Sequence, residues 1–246
     1  MRILAFVAIL AVLTNPAHAA LGFGSTYGAG TTDAVTPNAS IANPTTAVTY
    51  SFWFWRNGAG GGSSGAVLRS SVGTGIIFTT TTTLGFNYPF SSVNGVWAVN
   101  LPSNSAWHHM AISYDPTSTS NTPLIYIDGV SQSRSSSSQP AGTVTTTANL
   151  IIGNNTSTGG IRGWDGMLAD FVWWSGILTA NEVGALAHGA SPLEVRPTAL
   201  LYYFPLSGAA SNEPDWGPTH TMTTKNGTKF QPDPPKQPFP LIKYSQ

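Results

Sequence analysis

Hydrophobic and polar residues alternate along several short stretches of the chain, as in β-strands whose two faces meet different surroundings. In the stretch VTYSFWFW, Val48, Tyr50, Phe52 and Phe54 fall on one face, and Thr49, Ser51, Trp53 and Trp55 on the other. Further strand candidates lie near Val67, Ile77, Phe86, Val96, Tyr126, Leu150, Phe171 and Tyr202. Because clusters of Gly, Pro, Asn and Ser separate these stretches, the sequence predicts an all-β protein built as a sandwich.

One short helix is predicted in the second half of the chain. Thr179 and Glu182 have the spacing of a capping box, in which each side chain bonds to the backbone of the other residue. Val183 and Leu186 then lie on one helical face, and Gly189 provides a stop signal.

The first 19 residues have the composition of a secretory signal peptide. Arg2 supplies a positive charge, Ile3–Leu13 form an apolar run, and Ala17 and Ala19 frame a cleavage site. The run is too short for a comfortable bilayer span, although an uncleaved N-terminal anchor is the alternative interpretation. No later apolar run approaches that length, so the mature chain is expected to be secreted and to have no membrane span.

The remaining length suits one large β domain. We assign residues 20–230 to this domain and residues 231–246, which are rich in proline, to an extended or loosely docked tail. The chain contains no cysteine, so stability must come from burial of the core rather than from disulfides.

Charged residues make up only 8% of the chain, and ten basic residues balance ten acidic ones. An average soluble protein has about 25% charged residues. Without a basic field there is nothing to attract phosphate backbones, which argues against nucleic-acid binding. A hydrophobic content of 41% with eight tryptophans argues equally against a disordered chain.

Two adjacent histidines, His108 and His109, stand out beside a tryptophan in the stretch SAWHHMAISYD. On a strand, successive side chains point to opposite faces, so the two rings would not reach one metal ion from the same side. No further His or Cys lies nearby at a ligand spacing, and we do not predict a zinc site. One ring is expected to pack inward and the other to face solvent or bond to a loop.

Four stretches occur along the chain in the order AWHHMAISYD, PLIYIDGVSQS, NLIIGNN and GWDGMLADFVWWSGILTANEVGALAHG. They resemble the laminin G-like (LamG) jelly-roll domain of the concanavalin A-like lectin and glucanase superfamily, over residues 23–191. The resemblance implies a two-sheet antiparallel jelly-roll sandwich with one short helix. It also implies that His108 and His109 belong to the fold signature of the family.

The chain departs from the family pattern in two places. Asp170 matches the acidic position of the family's I-D-E-V motif, but Phe171 stands where a glutamate is common. The usual opening strand is missing from the N-terminus, and similar sequence appears at residues 202–228. Residues 198–230 are therefore a candidate edge strand moved by circular permutation. The alternatives are a truncated second repeat and a strand lent to a neighbouring protein.

Catalytic chemistry is not predicted. A retaining glycosidase needs two carboxyl groups about 5 Å apart, yet none of the three glutamates, Glu182, Glu194 and Glu213, shares a strand face with another acid two residues away. A serine nucleophile is not predicted either, because the sequence shows no plausible histidine partner for one.

The family resemblance also raises the question of calcium. Asp170 lies within an apolar strand, on the predicted face with Leu168 and Val172, where a carboxylate must find a cation, an ion pair or N–H donors. The resemblance makes Asp33 a conceivable second calcium ligand. The alternative to a calcium site is that Asp170 accepts hydrogen bonds from backbone N–H groups of the N-terminal loop.

Sugars bind to proteins by stacking on exposed aromatic rings beside a few polar groups. Tyr88, Trp97 and Trp164 lie near predicted loop ends and are the candidate ligand-binding residues. We therefore expect a secreted binding module for a glycan or an extracellular protein. The alternatives are a structural or adhesive component of a cell or virion surface and, third, a glycoside hydrolase. A lectin-like fold implies sugar binding only by analogy, because one fold can serve several functions.

Overall fold

The computed structural model describes residues 20–24, 33–37, 41–70, 75–146, 150–155, 162–208, 212–217, 222–225, 229–231 and 234, which form two antiparallel β-sheets. The described strands of sheet A are β1 (Ala20–Phe23), β3 (Val48–Arg56), β8 (Trp107–Tyr114), β9 (Leu124–Ile127), β10 (Val130–Ser131), β13 (Gly166–Ser175), β14 (Leu200–Phe204) and β17 (Lys229–Gln231). Those of sheet B are β2 (Ala34–Pro37), β4 (Ala66–Arg69), β5 (Gly75–Thr80), β6 (Thr83–Tyr88), β7 (Gly95–Asn100), β11 (Ser136–Ser138), β12 (Ile151–Ile152), β15 (Asn212–Glu213) and β16 (Met222–Lys225).

A single α-helix lies within the described residues, α1 (Ala180–Ala187), together with short 3-10 turns at Gly61–Ser63 and Pro197–Ala199. The predicted all-β, two-sheet antiparallel sandwich with one short helix is therefore confirmed. The predicted signal peptide, residues 1–19, lies outside the described residues, as does the predicted tail except for Gln231 and Pro234. In the part of the chain that is described, no helix is long and apolar enough to cross a membrane.

Strand β3 shows how the alternating pattern becomes two layers. Its neighbours are β8 on one side and β13 on the other, both antiparallel. Val48, Tyr50, Phe52 and Phe54 point between the sheets and are buried in the main core, as the alternation predicts. Thr49, Ser51 and Trp53 are buried too, because other parts of the chain cover the opposite face of sheet A.

The main core lies between the two sheets and is rich in aromatic rings. Tyr50 packs against Trp173 with ring centroids 4.9 Å apart, and Trp97 packs against Tyr114 at the same separation. Burying each such side chain stabilises the fold by about 1.5–3 kcal/mol or more, which is how a chain without cysteine holds its two sheets together.

Helix α1 covers part of the outer face of sheet A. Thr179 and Glu182 form the predicted capping box, with the Thr179 side chain accepting from the backbone of Glu182 and the Glu182 carboxylate accepting from the backbone of Thr179. Val183 and Leu186 then enter a second apolar cluster with Val172, Trp174, Tyr126 and Tyr203 on this outer face. The helix is therefore fixed by packing as well as by its cap.

The C-terminal strands pair within the same chain. Strand β13 is long enough for two neighbours on one side, with β1 pairing to Gly166–Leu168 and β14 pairing to Phe171–Trp174. Phe204 and Leu206 from this segment are buried in the main core. The structure thus pairs β14 with β13 of the same chain, and the circular permutation at residues 198–230 stays a prediction.

Candidate functional site

The three aromatic residues proposed for sugar stacking are buried in the main core. Tyr88 and Trp97 are fully buried, and Trp164 is 1% exposed. Their polar atoms bond within the protein, because the Tyr88 hydroxyl donates to the Pro44 carbonyl and the Trp164 Nε1–H donates to the Trp55 carbonyl. No ring face remains open to a ligand, so the structure argues against this part of the prediction.

Position along the sequence did not reveal this burial. Tyr88 ends β6, and Trp97 is the third residue of the neighbouring strand β7; alternate side chains of both strands point between the sheets. Trp164 precedes β13 in a loop, but its ring stacks on Phe78 at 5.4 Å and closes the end of the core. Proximity to a loop end is therefore compatible with complete burial.

The two predicted calcium ligands lie in different parts of the fold. Asp33 immediately precedes β2 in sheet B, and its carboxylate accepts a hydrogen bond of 3.0 Å from the backbone N–H of Gly24. Asp170 lies on the outer face of sheet A, where the Tyr203 hydroxyl donates to its Oδ1 at 2.7 Å. Since a sheet stands between them, the structure does not bring these carboxylates together.

No group of three or more His, Cys, Asp or Glu side chains gathers as a metal site among the residues that the structure describes. Calcium binding therefore stays a prediction, and we assign no residue to it.

A β-bulge places Asp170 on the outer face. The register between β13 and β3 shifts between Ala169 and Val172, and Asp170 has a left-handed φ of 48°. The predicted alternation put Leu168, Asp170 and Val172 on one face, but Leu168 is in the main core and Val172 is under the helix. The prediction was wrong because the bulge adds one residue and reverses the alternation beyond it.

The two histidines point to opposite faces, as the strand alternation predicts. His108 lies on the inner side beside Phe54, with ring centroids 5.7 Å apart, and its Nδ1 lies 2.7 Å from Asp128 Oδ2. His109 lies on the outer face and is 1% exposed. Asp128 also accepts a hydrogen bond from the backbone N–H of His109, so this carboxylate ties the β9–β10 turn to β8.

His109 is also a partner for a serine, which the sequence analysis did not find. The Ser51 hydroxyl and His109 Nε2 share a hydrogen bond of 2.7 Å. Ser51 is on β3 and His109 is on β8, so their closeness depends on strand pairing that the linear sequence does not show. Both side chains, and Asp170 beside them, are nearly fully buried beneath α1 and the following loop, so a substrate has no access to this pair.

An open concave surface among the described residues lies elsewhere, at the edge of sheet A where β9 begins. Two neighbouring clefts of about 410 and 350 Å³ share Thr122 and Leu124, and we name them together the Leu124 cleft. The first arm is lined by Ser113, Asp115, Ser120, Asn121 and Ile177, and the second by Pro123, Ile125 and residues 131–134. Both volumes fall within the range of about 300–1,000 Å³ typical of small-molecule sites.

Leu124 separates the two arms and is 47% exposed, which is unusual in a chain that buries most of its large apolar residues. Asp115 supplies a carboxylate whose Oδ1 already accepts bonds from the backbone and side chain of Thr117. Among the described residues, no donor reaches its Oδ2. The Asn121 side chain donates to the Asp115 carbonyl at 2.9 Å, which holds the loop in place.

None of these residues is aromatic, so a search for exposed rings at loop ends does not find them. The turn signals around Asp115 and Pro116 mark a loop, but they do not show that this loop borders a cleft. Trp55 and Trp107 do retain partial exposure, and their rings meet edge to face at 6.2 Å on the outer side of sheet A.

Several solved structures share this fold. A proposed carbohydrate binding protein from Bacteroides ovatus superposes with a TM-score of 0.63 at 16% identity, over 88% of this chain and 60% of that one. The chain therefore spans about three fifths of that protein. A SAP-like pentraxin from Limulus polyphemus gives a TM-score of 0.54 at 13% identity, over 87% of this chain and 94% of that one.

A third similar structure is the enzymatically active domain of tailspike protein 2 from bacteriophage CBA120, with a TM-score of 0.50 at 15% identity, over 78% of this chain and 32% of that one. At such identities these likenesses show a shared fold and nothing about ligands. No curated protein sequence matches this chain.

The sequence itself matches a family model. The laminin G model described as the concanavalin A-like lectin/glucanases superfamily matches residues 28–184, which is more than half of the chain. The matched region includes β8 with its two histidines, β13 with the bulge, and most of α1. This protein is a member of the laminin G-like family of the concanavalin A-like lectin/glucanases superfamily.

Proposed function

We propose that this protein is a non-catalytic, secreted binding module that holds a carbohydrate in the Leu124 cleft. The observation that carries the proposal is the cleft itself, in which an exposed leucine stands between two polar arms at the edge of sheet A. A sugar presents one apolar C–H face and a rim of hydroxyls, and this surface offers a complement to each.

The hydrogen-bonding groups of the cleft suit hydroxyl ligands. Asp115 Oδ2 can accept from a sugar hydroxyl, and a hydrogen bond to a charged group contributes about 1.5–3 kcal/mol. The hydroxyls of Ser120 and Thr122 can both donate and accept. Leu124 and Ile177 provide the apolar contact. The arms are open and shallow, so the ligand is expected to be part of a larger glycan rather than an enclosed small molecule.

Two further observations support a binding role over a catalytic one. The Leu124 cleft contains one carboxylate, Asp115, whereas glycoside hydrolysis by the usual mechanisms needs two. The solved structure with the highest TM-score given above is a proposed carbohydrate binding protein. Secretion is inferred from the sequence of residues 1–19, and calcium dependence from the resemblance to the family.

The first experiment is binding of the purified protein to a broad glycan array, with calcium and again with a chelator. Binding to a defined class of glycan is the expected result. Loss of that binding in chelator would support the calcium prediction, and unchanged binding would contradict it. Absence of binding in both conditions would overturn the carbohydrate proposal in favour of a structural or adhesive surface component.

Substitutions in the cleft test its assignment as the site. Asp115→Asn keeps the hydrogen bonds from Thr117 but removes the charge, and Leu124→Ala removes the apolar ridge. We expect each to weaken binding of the array hit at least about tenfold, measured by calorimetry, since each removes about 1.4 kcal/mol or more.

The matched control is Val130→Ala, on the neighbouring strand β10. Val130 is 63% exposed and does not line either arm of the cleft, so its substitution should leave the dissociation constant within twofold. If Trp107→Ala abolishes binding while Asp115→Asn and Leu124→Ala do not, the ligand lies on the outer aromatic face and the cleft assignment is wrong.

A further inference from the structure

A buried polar cluster lies on the outer face of sheet A, outside the Leu124 cleft. Ser51 bonds to His109 Nε2, and the Tyr203 hydroxyl bonds to Asp170, with each distance at 2.7 Å. All four side chains are at most 4% exposed. Buried polar groups cost stability unless they are bonded, and within this cluster the Nδ1 of His109 has no hydrogen-bond partner among the described residues.

The last residues of α1 and the loop after it cover the cluster. A cavity of about 10 Å³ separates them, close to the smallest volume that holds one water molecule. Its floor is formed by Ser51, Trp53, His109 and Asp170, and its roof by Leu186, Ala190 and Pro192. We name residues 186–192 the roof segment. Its lining residues are apolar and supply no hydrogen-bonding side chain to the cluster.

His109 has only one of its ring nitrogens bonded. Within the described residues, its Nδ1 is buried and has no hydrogen-bond partner. Burial is the main cause that lowers the pKa of His109 to about 4, and the carboxylates of Asp128 and Asp170 act in the opposite direction. The ring is therefore neutral at pH 7, and a proton added to it would place a charge directly under the apolar roof.

Several elements that pack against His109 bring titratable groups near its ring. Strand β13 contributes Asp170, β14 contributes Tyr203, and the β9–β10 turn contributes Asp128. The residues of the roof segment that line the cavity carry no titratable group. Glu182, earlier on the helix, is paired with Arg196 at the surface. Its pKa is lowered, because hydrogen bonds from Arg196 and Thr179 outweigh the effect of burial.

The roof segment is held by hydrogen bonds at both ends, and between them by the packing of Leu186 in the outer apolar cluster. Before the helix, the backbone N–H of Leu178 donates to the Thr49 hydroxyl. After the roof segment, the Trp174 Nε1–H donates to the Val195 carbonyl at 2.9 Å. Between these two anchors, Gly184 and Gly189 add backbone freedom, and Gly189 has a left-handed φ of 90°. The segment can therefore lift without unfolding either anchor.

The strained backbone at Asp170 is part of the same arrangement. A non-glycine residue in the left-handed region costs about 1–3 kcal/mol and persists only where the surroundings enforce it. Here the bulge turns a carboxylate toward His109 rather than into the core. The negative charge of that carboxylate favours the protonated ring, so it opposes the effect of burial on the pKa of His109.

We propose that His109 is a proton-operated latch, and that its protonation releases the roof segment from the outer face of sheet A. In the closed state the ring is neutral. In the open state water reaches the ring, which then accepts a proton as an ordinary histidine does. Opening would expose the apolar cluster that contains Val172 and Trp174.

The pH range of this latch follows from the direction of the shift. Because the closed state has the lower pKa, its advantage is fully present above about pH 6.5 and falls as the pH drops toward 4. Between pH 7 and pH 4.5 the opening equilibrium of the roof segment should rise on the order of 50-fold. The Glu182–Arg196 pair favours the ionised carboxylate, since the hydrogen bonds from Arg196 and Thr179 lower the pKa of Glu182 despite its burial.

Hydrogen exchange on the whole protein tests the proposal. Protection factors for amides in residues 184–195 should fall on the order of 50-fold between pH 7 and pH 4.5, while those of β3 and β8 change little. In His109→Gln, whose amide can still bond to Ser51, this fall should disappear. His188→Gln changes the exposed histidine directly after α1, whose ring bonds to the Gly184 carbonyl and does not line the cavity; it is the control and should show the same fall as the unmodified protein.

Two results would overturn the latch. One is the same fall in His109→Gln, and the other is an equal loss of protection in all strands, which would indicate global unfolding. If His109→Gln does not fold, NMR of the unmodified protein gives the test, because the His109 ring must titrate at the pH where protection is lost. Titration at a different pH would contradict the proposal.

Discussion

Replacing Trp164 with alanine is expected to lower the free energy of unfolding by about 3–5 kcal/mol, the usual cost of removing a large buried aromatic side chain. The ring stacks on Phe78 at 5.4 Å with an interplanar angle of 15° and meets Phe54 edge to face at 6.3 Å. Its Nε1–H donates to the Trp55 carbonyl at 3.2 Å, so that acceptor would also lose its partner. Urea unfolding followed by circular dichroism measures the change independently of tryptophan fluorescence.

The matched control is Trp216→Ala. Trp216 is 42% exposed and contacts Tyr203 edge to face, so its loss should cost less than about 1 kcal/mol. The comparison separates the two roles considered for Trp164. A small stability change together with lost glycan binding would show that the ring is a ligand contact after all, as the sequence first suggested.

The alternation along β3 could be interpreted from the sequence because each side chain follows the pleat of the strand. Tyr50, Phe52 and Phe54 share one face as predicted, and the structure places that face in the main core. The sequence does not say what covers the other face, and so it could not show that Ser51 and Trp53 are buried as well. In this fold, α1 and the loop after it cover part of that face.

The candidate site was harder to predict than the fold. Stacking residues were sought among aromatics at loop ends, but in a chain without cysteine the large rings fill the space between the sheets. The Leu124 cleft depends on how the loop before β9 and the segment after β10 come together. Neither segment carries a motif for this, and only the tertiary arrangement brings Asp115 beside Leu124.

The bulge at Asp170 is a third feature that the sequence pattern could not predict. The residue type and the apolar strand around it correctly marked Asp170 as a carboxylate in need of partners. A pattern of period two cannot show where an extra residue is inserted, and one inserted residue exchanges the two faces of everything that follows. Asp170 accepts a hydrogen bond from the Tyr203 hydroxyl and lies close to the His109 ring, and both of these residues belong to strands far away in the sequence.

Replacing Gly166 with alanine is expected to destabilise the protein by about 3 kcal/mol or more, because the new methyl group has no space. Gly166 begins β13 and lies opposite Arg56 of β3. A Cβ atom there would overlap the Trp55 carbonyl oxygen and would lie 2.9 Å from the Arg56 Cα and 2.8 Å from the Trp164 Nε1. Urea unfolding of the variant at neutral pH measures the loss.

Gly184→Ala is the control, because the same methyl group is added where it meets nothing. A Cβ atom at Gly184 would have no neighbour within 4 Å, and the residue lies inside α1. Alanine is favoured over glycine in a helix interior by about 0.5–1 kcal/mol, so this variant should be more stable than the unmodified protein. Two of the atoms that meet the methyl group at Gly166 belong to the backbone of β3, which cannot move without breaking its pairing with β13. If Gly166→Ala is as stable as Gly184→Ala, then β13 does not pair this closely with β3 at Gly166, and the arrangement that brings Trp164 to the Trp55 carbonyl is wrong as well.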